Sequence, residues 1–278
     1  MNLKKLSDVD VVMINQLNEI PLISIIIPAW KENENLKLCL NAINQLSYPK
    51  LNVIVNAGGS KETIQIAENF RNNPKFTIIH QKEGEGKIKA INDCLTYIEE
   101  GLVYLIDADI LLNDDVLLKM VYQITNKSQN GVVSEIKPHH SQFKKSIVKY
   151  NYINRNLRFR HRFARYLIRG TGPNTLLNYS VIKSIGKFTE KKLSDDGRSL
   201  GLDIFSKGYK IFHLVDTRVD CLTYPINIKK YCSQNIRWLE NSLISYNRNK
   251  FLRFIKFFIF VIFQLYLLIF PFFLFLHI

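Results

Sequence analysis

Short apolar runs alternate with segments of helical periodicity along the first hundred residues of the chain. The helical segments carry apolar residues three and four positions apart, as in Leu36, Leu40 and Ile43. Strands and helices that alternate at this spacing favour an α/β fold, a doubly wound sheet with right-handed crossovers. The predicted strands are Ile23 to Ile27, Asn52 to Val55, Phe76 to Ile79 and Leu102 to Ile106, and the predicted helices are Glu34 to Leu46, Lys61 to Phe70 and Lys87 to Ile98.

The pattern is looser after Asn126. Gly131 to Glu135 and Tyr209 to Val215 predict two later strands, and Ile228 to Tyr246 predicts an amphipathic helix. In open α/β sheets, ligands bind beyond the carboxyl ends of the strands. The residues that follow each strand are therefore the first candidates for a functional site.

The C-terminal segment is apolar from Phe257 to Leu276, apart from Gln264 and Pro271. About twenty helical residues span a bilayer core of roughly 30 Å, so this pattern predicts a transmembrane segment over residues 250–278 and a catalytic domain over residues 1–249. A buried or re-entrant hairpin is the alternative, because Pro271 can break a helix. Basic residues precede the segment and place the rest of the chain in the cytoplasm by the positive-inside tendency: Arg248, Lys250, Arg253 and Lys256.

The composition indicates which binding partners and which cellular compartment the chain favours. A formal net charge of +14 favours anionic partners, namely nucleotide phosphates, acidic lipid headgroups or nucleic acid. The apolar stretch near the N-terminus is interrupted by Asp8 and Asp10, so it does not resemble a secretory signal. Four scattered cysteines without a Cys-x-x-Cys pair favour reduced thiols over disulfides or a zinc cluster.

A basic stretch from Phe143 to Arg169 holds nine Lys or Arg residues and no acidic residue, interleaved with aromatic residues. Such a pattern is typical of a nucleic-acid surface. Beside a predicted membrane segment it favours a helix lying on anionic lipid, and a solvated basic face is the remaining alternative. We therefore expect membrane contact and no nucleic-acid partner.

Two carboxylates separated by one residue end the fourth predicted strand, in the order Ile106-Asp107-Ala108-Asp109. Holding them together at the mouth of a sheet is costly unless a cation neutralises them. Oxygen ligands of this kind suit Mg²⁺ or Mn²⁺, which can bridge to a diphosphate. The alternative is a solvated turn followed by a helix cap.

Two later groups complete the candidate chemistry. Asp195 and Asp196 precede a helical stretch, where a carboxylate can act as a general base or simply cap the helix. Gln234 and Arg237 share a helix face beside Trp238. Arginine suits phosphate and tryptophan offers a platform for a sugar, although an ordinary interfacial helix has the same pattern.

The order of these groups resembles glycosyltransferase family 2, including its branch of cellulose, chitin and hyaluronan synthases. The resemblance runs from about Ile23 to Trp238, and its six elements occur in the family's order. The matching elements are Ile23-Ser24-Ile25-Ile26-Ile27-Pro28-Ala29-Trp30-Lys31-Glu32-Asn33, Gly86-Lys87-x-Lys89-Ala90-x-Asn92, Asp107-Ala108-Asp109, Gly170-Thr171-Gly172-Pro173-Asn174 with Ile185-Gly186-Lys187-Phe188, Ser194-Asp195-Asp196, and Gln-x-x-Arg-Trp at Gln234 to Trp238.

The resemblance implies a GT-A fold, with a mixed, mainly parallel sheet, and a role for each matched residue. Pro28, Ala29, Glu32 and Lys87 are expected at the nucleotide pocket, Asp107 at the nucleotide and metal, and Asp109 at the metal, which is Mg²⁺ or Mn²⁺. Asp196 is the expected base of a single inverting displacement. Gln234, Arg237 and Trp238 are expected to hold the diphosphate and the acceptor end.

One departure from the family affects base recognition. The family has an acidic pair after its second strand, in a pattern like Asp-Asp-Gly-Ser, whereas this chain has Asn56-Ala57-Gly58-Gly59-Ser60. Asn56 can hydrogen-bond a uracil edge but carries no charge. An active enzyme is still expected, because the metal pair and the base are present.

Three functions fit these observations. The first is transfer of a sugar, from a donor such as a UDP-sugar, to a lipid-linked or polysaccharide acceptor at the membrane. The second is a sugar-nucleotidyltransferase, which would not need Asp196 or the Gln-x-x-Arg-Trp helix, and the third is a non-catalytic binding subunit. A single membrane segment cannot enclose a growing polysaccharide without oligomerisation or a membrane partner subunit, which favours a lipid-linked or other membrane acceptor.

Overall fold

The computed structural model describes residues 13–159, 166–167, 172–189 and 196–244, together with Phe258, Ile262 and Tyr266. The chain divides into two compact units. The first unit comprises Met1–Glu190 and Asp196–Tyr231, and the second comprises Lys191–Asp195 and Cys232–Ile278. The predicted division between residues 249 and 250 stays a prediction.

Strands and helices alternate along the first unit, as the sequence predicts. The strands are β1 Ile23–Trp30, β2 Leu51–Gly58, β3 Phe76–Gln81, β4 Leu102–Ile106, β5 Ile110–Leu111, β6 Gly131–Pro138, β7 Tyr166–Leu167, β8 Asn174–Asn178 and β9 Ile211–Cys221. The helices are α1 Glu34–Asn44, α2 Lys61–Glu68, α3 Gly86–Leu95, α4 Asp114–Thr125, α5 Ser146–Phe159, α6 Tyr179–Ile185, α7 Asp196–Ser206 and α8 Ile228–Ile244.

The strands form one sheet in the order β3-β2-β1-β4-β8-β6-β9-β5, with β7 paired to β9. Strands β3, β2, β1 and β4 are parallel neighbours. The apolar run Ile25-Ile26-Ile27 of β1 is fully buried, as expected for a central parallel strand covered on both faces. The predicted mixed α/β fold is therefore confirmed.

The other half of the sheet departs from a doubly wound order. Strand β8 lies between β4 and β6 and is antiparallel to both. Strands β6 and β9 are parallel, and their register shifts between Ser134 and Glu135. This half depends on pairings between strands that are far apart in sequence, which local periodicity does not encode.

Two apolar layers cover the sheet. The first buries residues of α1, α2 and α4, such as Leu40, Ala67 and Val121. The second buries residues of α3, α6 and α7, such as Ile91 and Leu200. Each fully buried aliphatic side chain contributes about 1.5–3 kcal/mol relative to an exposed one, so the two layers together fix the strand ends that carry the polar residues.

Five strands run further than their apolar runs predict. Strand β1 continues to Trp30, β2 to Gly58, β3 to Gln81, β6 to Pro138 and β9 to Cys221. After β2, the Ser60 side chain caps α2 by accepting a hydrogen bond of 3.1 Å from the Thr63 N–H. The longer strands carry their last residues towards the carboxyl edge of the sheet.

The predicted transmembrane segment, residues 250–278, lies outside the described residues except for Phe258, Ile262 and Tyr266, which are helical. Within the described part of the chain, no helix has both the length and the apolar character that a bilayer crossing requires. The basic stretch is described only in part, and there it forms α5 and the short strand β7.

Candidate active site

The acidic turn after β4 lies at the carboxyl edge of the parallel half. The Asp107 N–H donates to the Pro173 carbonyl at 3.0 Å, and the Ile110 N–H donates to the Asp107 carbonyl at 3.2 Å. The Asp107 carboxylate is 2.5 Å from the ammonium of Lys87, near the start of α3. The predicted site residues Asp107 and Lys87 are therefore in direct contact.

Asp109 is held from the end of β9. Its Oδ2 accepts a hydrogen bond from the Thr223 hydroxyl and lies 3.6 Å from the Cys221 sulfur. Burial, and after it the negative charge of Asp107, raises the pKa of Asp109, although the Thr223 and Cys221 donors and the Lys87 charge oppose the rise. The carboxylate is thus kept in a position where its negative charge is costly without a cation.

Glu32 follows β1 and faces the same charges. Burial is the main cause that raises the pKa of its carboxyl group, and Asp109 and Asp107 raise it further, whereas Asn35 and Lys87 lower it. Glu32, Asp107 and Asp109 therefore form one repelling group of carboxylates. These three residues are called the acidic cluster.

An open cavity of about 690 Å³ lies at this edge, a volume in the ordinary range for ligand sites. Its lining carries four carboxylates and two lysines, so the cavity is acidic in a chain of net charge +14. A diphosphate is repelled by such a cavity unless a cation is bound first. The lining residues are Pro28, Trp30, Lys31, Glu32, Gln81, Glu83, Gly84, Gly86, Lys87, Asp107, Ala108 and Asp109.

Glycines shape one wall of the cavity. A Cβ on Gly58 would lie 2.5 Å from the Gln81 carbonyl oxygen, and one on Gly59 would lie 2.7 Å from the Trp30 indole. The indole therefore packs directly on Gly58, the last residue of β2, and on Gly59, which follows it. Beside it, Lys31 has a φ of 57°, a left-handed conformation that a non-glycine residue adopts at a cost and that often occurs at functional sites.

Five predicted site residues meet at this cavity, and two others do not reach it. Pro28, Glu32, Lys87, Asp107 and Asp109 all belong to its lining. Ala29 is fully buried within the sheet.

Asn56 is buried inside β2 and does not line the cavity. Its amide donates to the Ala90 carbonyl at 3.3 Å, and its Oδ1 is buried without a hydrogen-bond partner among the described residues. Strand β2 continues two residues past Asn56, so the side chain faces α3 and not the strand end. Contact between Asn56 and a nucleobase stays a prediction.

The remaining predicted residues lie elsewhere on the chain. Asp196 is the first residue of α7, in the first unit. Gln234, Arg237 and Trp238 lie on α8, in the second unit. The side chains of Asp196, Arg237 and Trp238 are outside the described part of the structure.

Sequence reasoning missed several residues that the structure places at the site. Trp30 and Lys31 lie inside the quoted opening motif, and their position after the apolar run of β1 is a signal that could have identified them. Gln81 is the last residue of β3, and Glu83 follows it. Thr223 had no such signal, since it meets Asp109 across 114 residues of sequence.

The acidic cluster fits a hard divalent cation. In the described residues, no group of three or more His, Cys, Asp or Glu side chains is placed to hold a metal ion. Magnesium does not require three protein ligands, because it is usually bound by one or two carboxylates, with water and substrate phosphates filling the other positions. The repelling carboxylates of Asp107, which is 34% exposed, and Asp109, which is mostly buried, would provide that incomplete ligand set.

Comparison with known proteins identifies relatives of the chain. A model of Glycosyl transferase family 2 matches residues 24–186, more than half of the chain. The poly-beta-1,6-N-acetyl-D-glucosamine synthase of Staphylococcus epidermidis is 24% identical over 225 residues, which cover 78% of this chain and 54% of the relative. The chain thus spans about half the length of the curated relatives it matches.

Two solved structures share the fold. Mannosyltransferase PcManGT from Pyrobaculum calidifontis, in complex with GDP-Man and Mn²⁺, matches with a TM-score of 0.62 and 18% identity, over 81% of this chain and 63% of that one. S. aureus TarS 1-349 in complex with UDP-GlcNAc matches with a TM-score of 0.53 and 16% identity, over 84% of this chain and 69% of that one. At these identities the likeness concerns the fold alone.

Proposed function

Because the chain belongs to glycosyl transferase family 2, we propose that it moves a sugar from a nucleotide-diphosphate donor to a hydroxyl group of a membrane-associated acceptor. The observation that carries the proposal is the acidic cluster in the cavity at the carboxyl edge of the sheet, in a protein whose net charge is otherwise strongly positive. Carboxylates that repel one another in a ligand-sized cavity require a cation, and a bound cation converts the cavity into a diphosphate site.

On the donor side, Asp109 and Asp107 would hold Mg²⁺ or Mn²⁺, which supplies positive charge to the departing diphosphate. The Lys87 ammonium, 2.5 Å from Asp107, provides a second cation at the same edge. The Trp30 indole, which packs on Gly58 and Gly59 in the cavity wall, offers a flat apolar surface for the nucleobase.

On the acceptor side, Asp196 would take the proton of the attacking hydroxyl group. The acceptor oxygen then bonds to the anomeric carbon as the bond from that carbon to the diphosphate breaks, and the configuration inverts. Asp196 is the first residue of the eleven-residue helix α7, and the first turn of a helix is a position that favours the ionised form of an acidic residue, the form that a general base needs. Gln234, Arg237 and Trp238 are proposed to contact the diphosphate and the acceptor.

The donor we propose to test first is UDP-N-acetylglucosamine. Support comes from the name of the S. epidermidis relative, a poly-beta-1,6-N-acetyl-D-glucosamine synthase, and from the UDP-GlcNAc bound in the TarS structure. Both relationships are distant, so the acceptor is proposed only as a class, a lipid-linked or polysaccharide hydroxyl.

We also propose that the chain acts at a membrane, with the catalytic domain of residues 1–249 on the cytoplasmic side and an oligomer or a partner subunit completing the assembly. The apolar run from Phe257 to Leu276 and the basic residues before it support this placement. Phe258, Ile262 and Tyr266 are helical, are spaced four residues apart and are 52–57% exposed, which places apolar side chains along one helix face.

The test is a donor screen with membranes that contain the chain and labelled UDP-sugars. Sugar transfer with release of UDP and an inverted anomeric linkage in the product supports the proposal. Consumption of added pyrophosphate to form UTP and a sugar 1-phosphate would instead indicate a sugar-nucleotidyltransferase, and nucleotide binding without turnover would indicate a binding subunit.

A further inference from the structure

The end of β9 contacts Asp109 through both its backbone and its side chains. Ile110 pairs with Cys221 in the short β5–β9 ladder. The Leu222 N–H donates to the Asp109 carbonyl at 2.8 Å. The Thr223 hydroxyl and the Cys221 thiol are both directed at Oδ2 of the Asp109 carboxylate.

This arrangement leaves the two carboxylate oxygens of Asp109 in different states. Oδ2 receives both donors, and no hydrogen bond from a described residue reaches Oδ1. The terminal torsion of an aspartate is broad and roughly two-fold, so an unsupported carboxylate samples many orientations. Two donors on one oxygen select a single orientation and leave the other oxygen available.

The segment that carries Thr223 is itself anchored away from the cavity. The His139 N–H donates to the Cys221 carbonyl at 3.0 Å. The Tyr224 hydroxyl donates to the Ile136 carbonyl at 3.1 Å, and the Tyr224 side chain is buried. None of these bonds uses the Thr223 side chain, which is exposed. Removing its hydroxyl group therefore deletes one contact to Asp109 and leaves the backbone supports in place.

We infer that Thr223 is a positioning residue for the metal site, with Cys221 as a weaker second donor: its hydroxyl group orients the Asp109 carboxylate for a divalent cation. The inference rests on the proposed function, because it requires Asp109 to be a metal ligand. Groups that hydrogen-bond to a metal ligand typically change metal affinity 10–100-fold when they are removed. Thr223 and Cys221 lie 114 and 112 residues from Asp109 in sequence, so only the fold brings them there.

The experiment measures Mn²⁺ affinity by electron paramagnetic resonance, with the full chain and saturating UDP. Thr223→Val removes the hydroxyl group and keeps the shape, and we expect its Mn²⁺ affinity to fall about 10–100-fold. Thr223→Ser retains the donor and should bind Mn²⁺ like the unmodified chain. Thr125→Val is the matched control, since it removes a hydroxyl group that bonds only within α4 and to Asn126.

Other outcomes would contradict the inference, and the measurements distinguish a missing positioning role from a missing metal site. Unchanged Mn²⁺ affinity in Thr223→Val, or an equal loss in Thr223→Ser, would remove the positioning role while leaving the metal site intact. If the unmodified chain binds no Mn²⁺ with UDP, the metal assignment fails together with the inference. Sugar transfer measured in EDTA then shows whether the proposed transferase activity survives without the metal.

Discussion

Replacing Asp109 by asparagine tests whether the acidic cluster is held together at a cost. Asparagine is nearly isosteric and its side-chain oxygen still accepts a hydrogen bond from Thr223, so the main change is the loss of one negative charge. Burial and the charge of Asp107 raise the pKa of Asp109. In the metal-free chain at pH 7, we therefore expect Asp109→Asn to unfold at a higher temperature than the unmodified protein.

The direction of this stability change follows from the linkage between protonation and folding. A carboxyl group whose pKa is raised by folding is more costly to ionise in the folded state than in the unfolded state. The cost is absent below the unfolded pKa of about 3.9, grows as the pH rises to the folded pKa, and is complete above it. Each unit of raised pKa corresponds to about 1.4 kcal/mol, and each kcal/mol to roughly 2–4 °C in a domain of 150–250 residues. The stabilisation by Asp109→Asn at pH 7 should therefore be about 3–6 °C for each unit by which folding raises the pKa, and it should shrink towards pH 4.

The assay is thermal unfolding in EDTA at several pH values, repeated with Mn²⁺ and UDP. Ligand at a hundred times its dissociation constant stabilises by about 2.7 kcal/mol, so the cation and nucleotide should raise the midpoint of the unmodified chain and not that of the variant. Asp115→Asn is the matched control: Asp115 is exposed in the first turn of α4, 3.0 Å from Lys119, and its neutralisation should slightly destabilise. A lower midpoint for Asp109→Asn at pH 7, or a gain that persists at pH 4, would refute the reasoning.

Three further predictions concern other parts of the site. Asp196→Asn should lower the rate of sugar transfer about 10²–10⁴-fold with UDP affinity unchanged in calorimetry, and unchanged turnover would remove it from the mechanism. Lys87→Gln should weaken UDP binding in Mn²⁺ roughly 10–100-fold by loss of a charged donor, whereas the exposed Lys89→Gln should not; equal effects would contradict the assignment. Gly58→Ala places a Cβ 2.5 Å from the Gln81 carbonyl oxygen and should cost about 1–3 kcal/mol in denaturant unfolding, and an unchanged midpoint would show that the wall yields.

The parallel half of the fold was predictable because its signals are local. The buried strand Leu102–Ile106 has the predicted bounds, and α1 begins at Glu34 as predicted. Helix α4 and strand β8 were not predicted. Strand β8 is a five-residue strand beginning with the buried Asn174, and its place between β4 and β6 depends on pairing with distant strands.

The site residues that directly follow an apolar strand could be predicted from the sequence. Those near the end of a strand that is longer than its apolar run were harder to predict. Glu32, Asp107 and Asp109 meet at one edge, as their positions after β1 and β4 imply. Asn56 was expected at the same edge, but β2 extends to Gly58, and the Asn56 side chain lies inside the strand and faces α3. Successive side chains of a strand point to opposite faces, and a polar residue near the end of an apolar run gives no indication of which face it takes or which residue ends the strand.

The proposed function depends most on the claim that a bound cation allows the acidic cavity to bind a nucleotide diphosphate. Isothermal titration of the full chain with UDP, in Mn²⁺ and in EDTA, tests this claim most directly. The account predicts binding with one Mn²⁺ per nucleotide, and a large loss of affinity in EDTA. Equal UDP affinity in both solutions would contradict it.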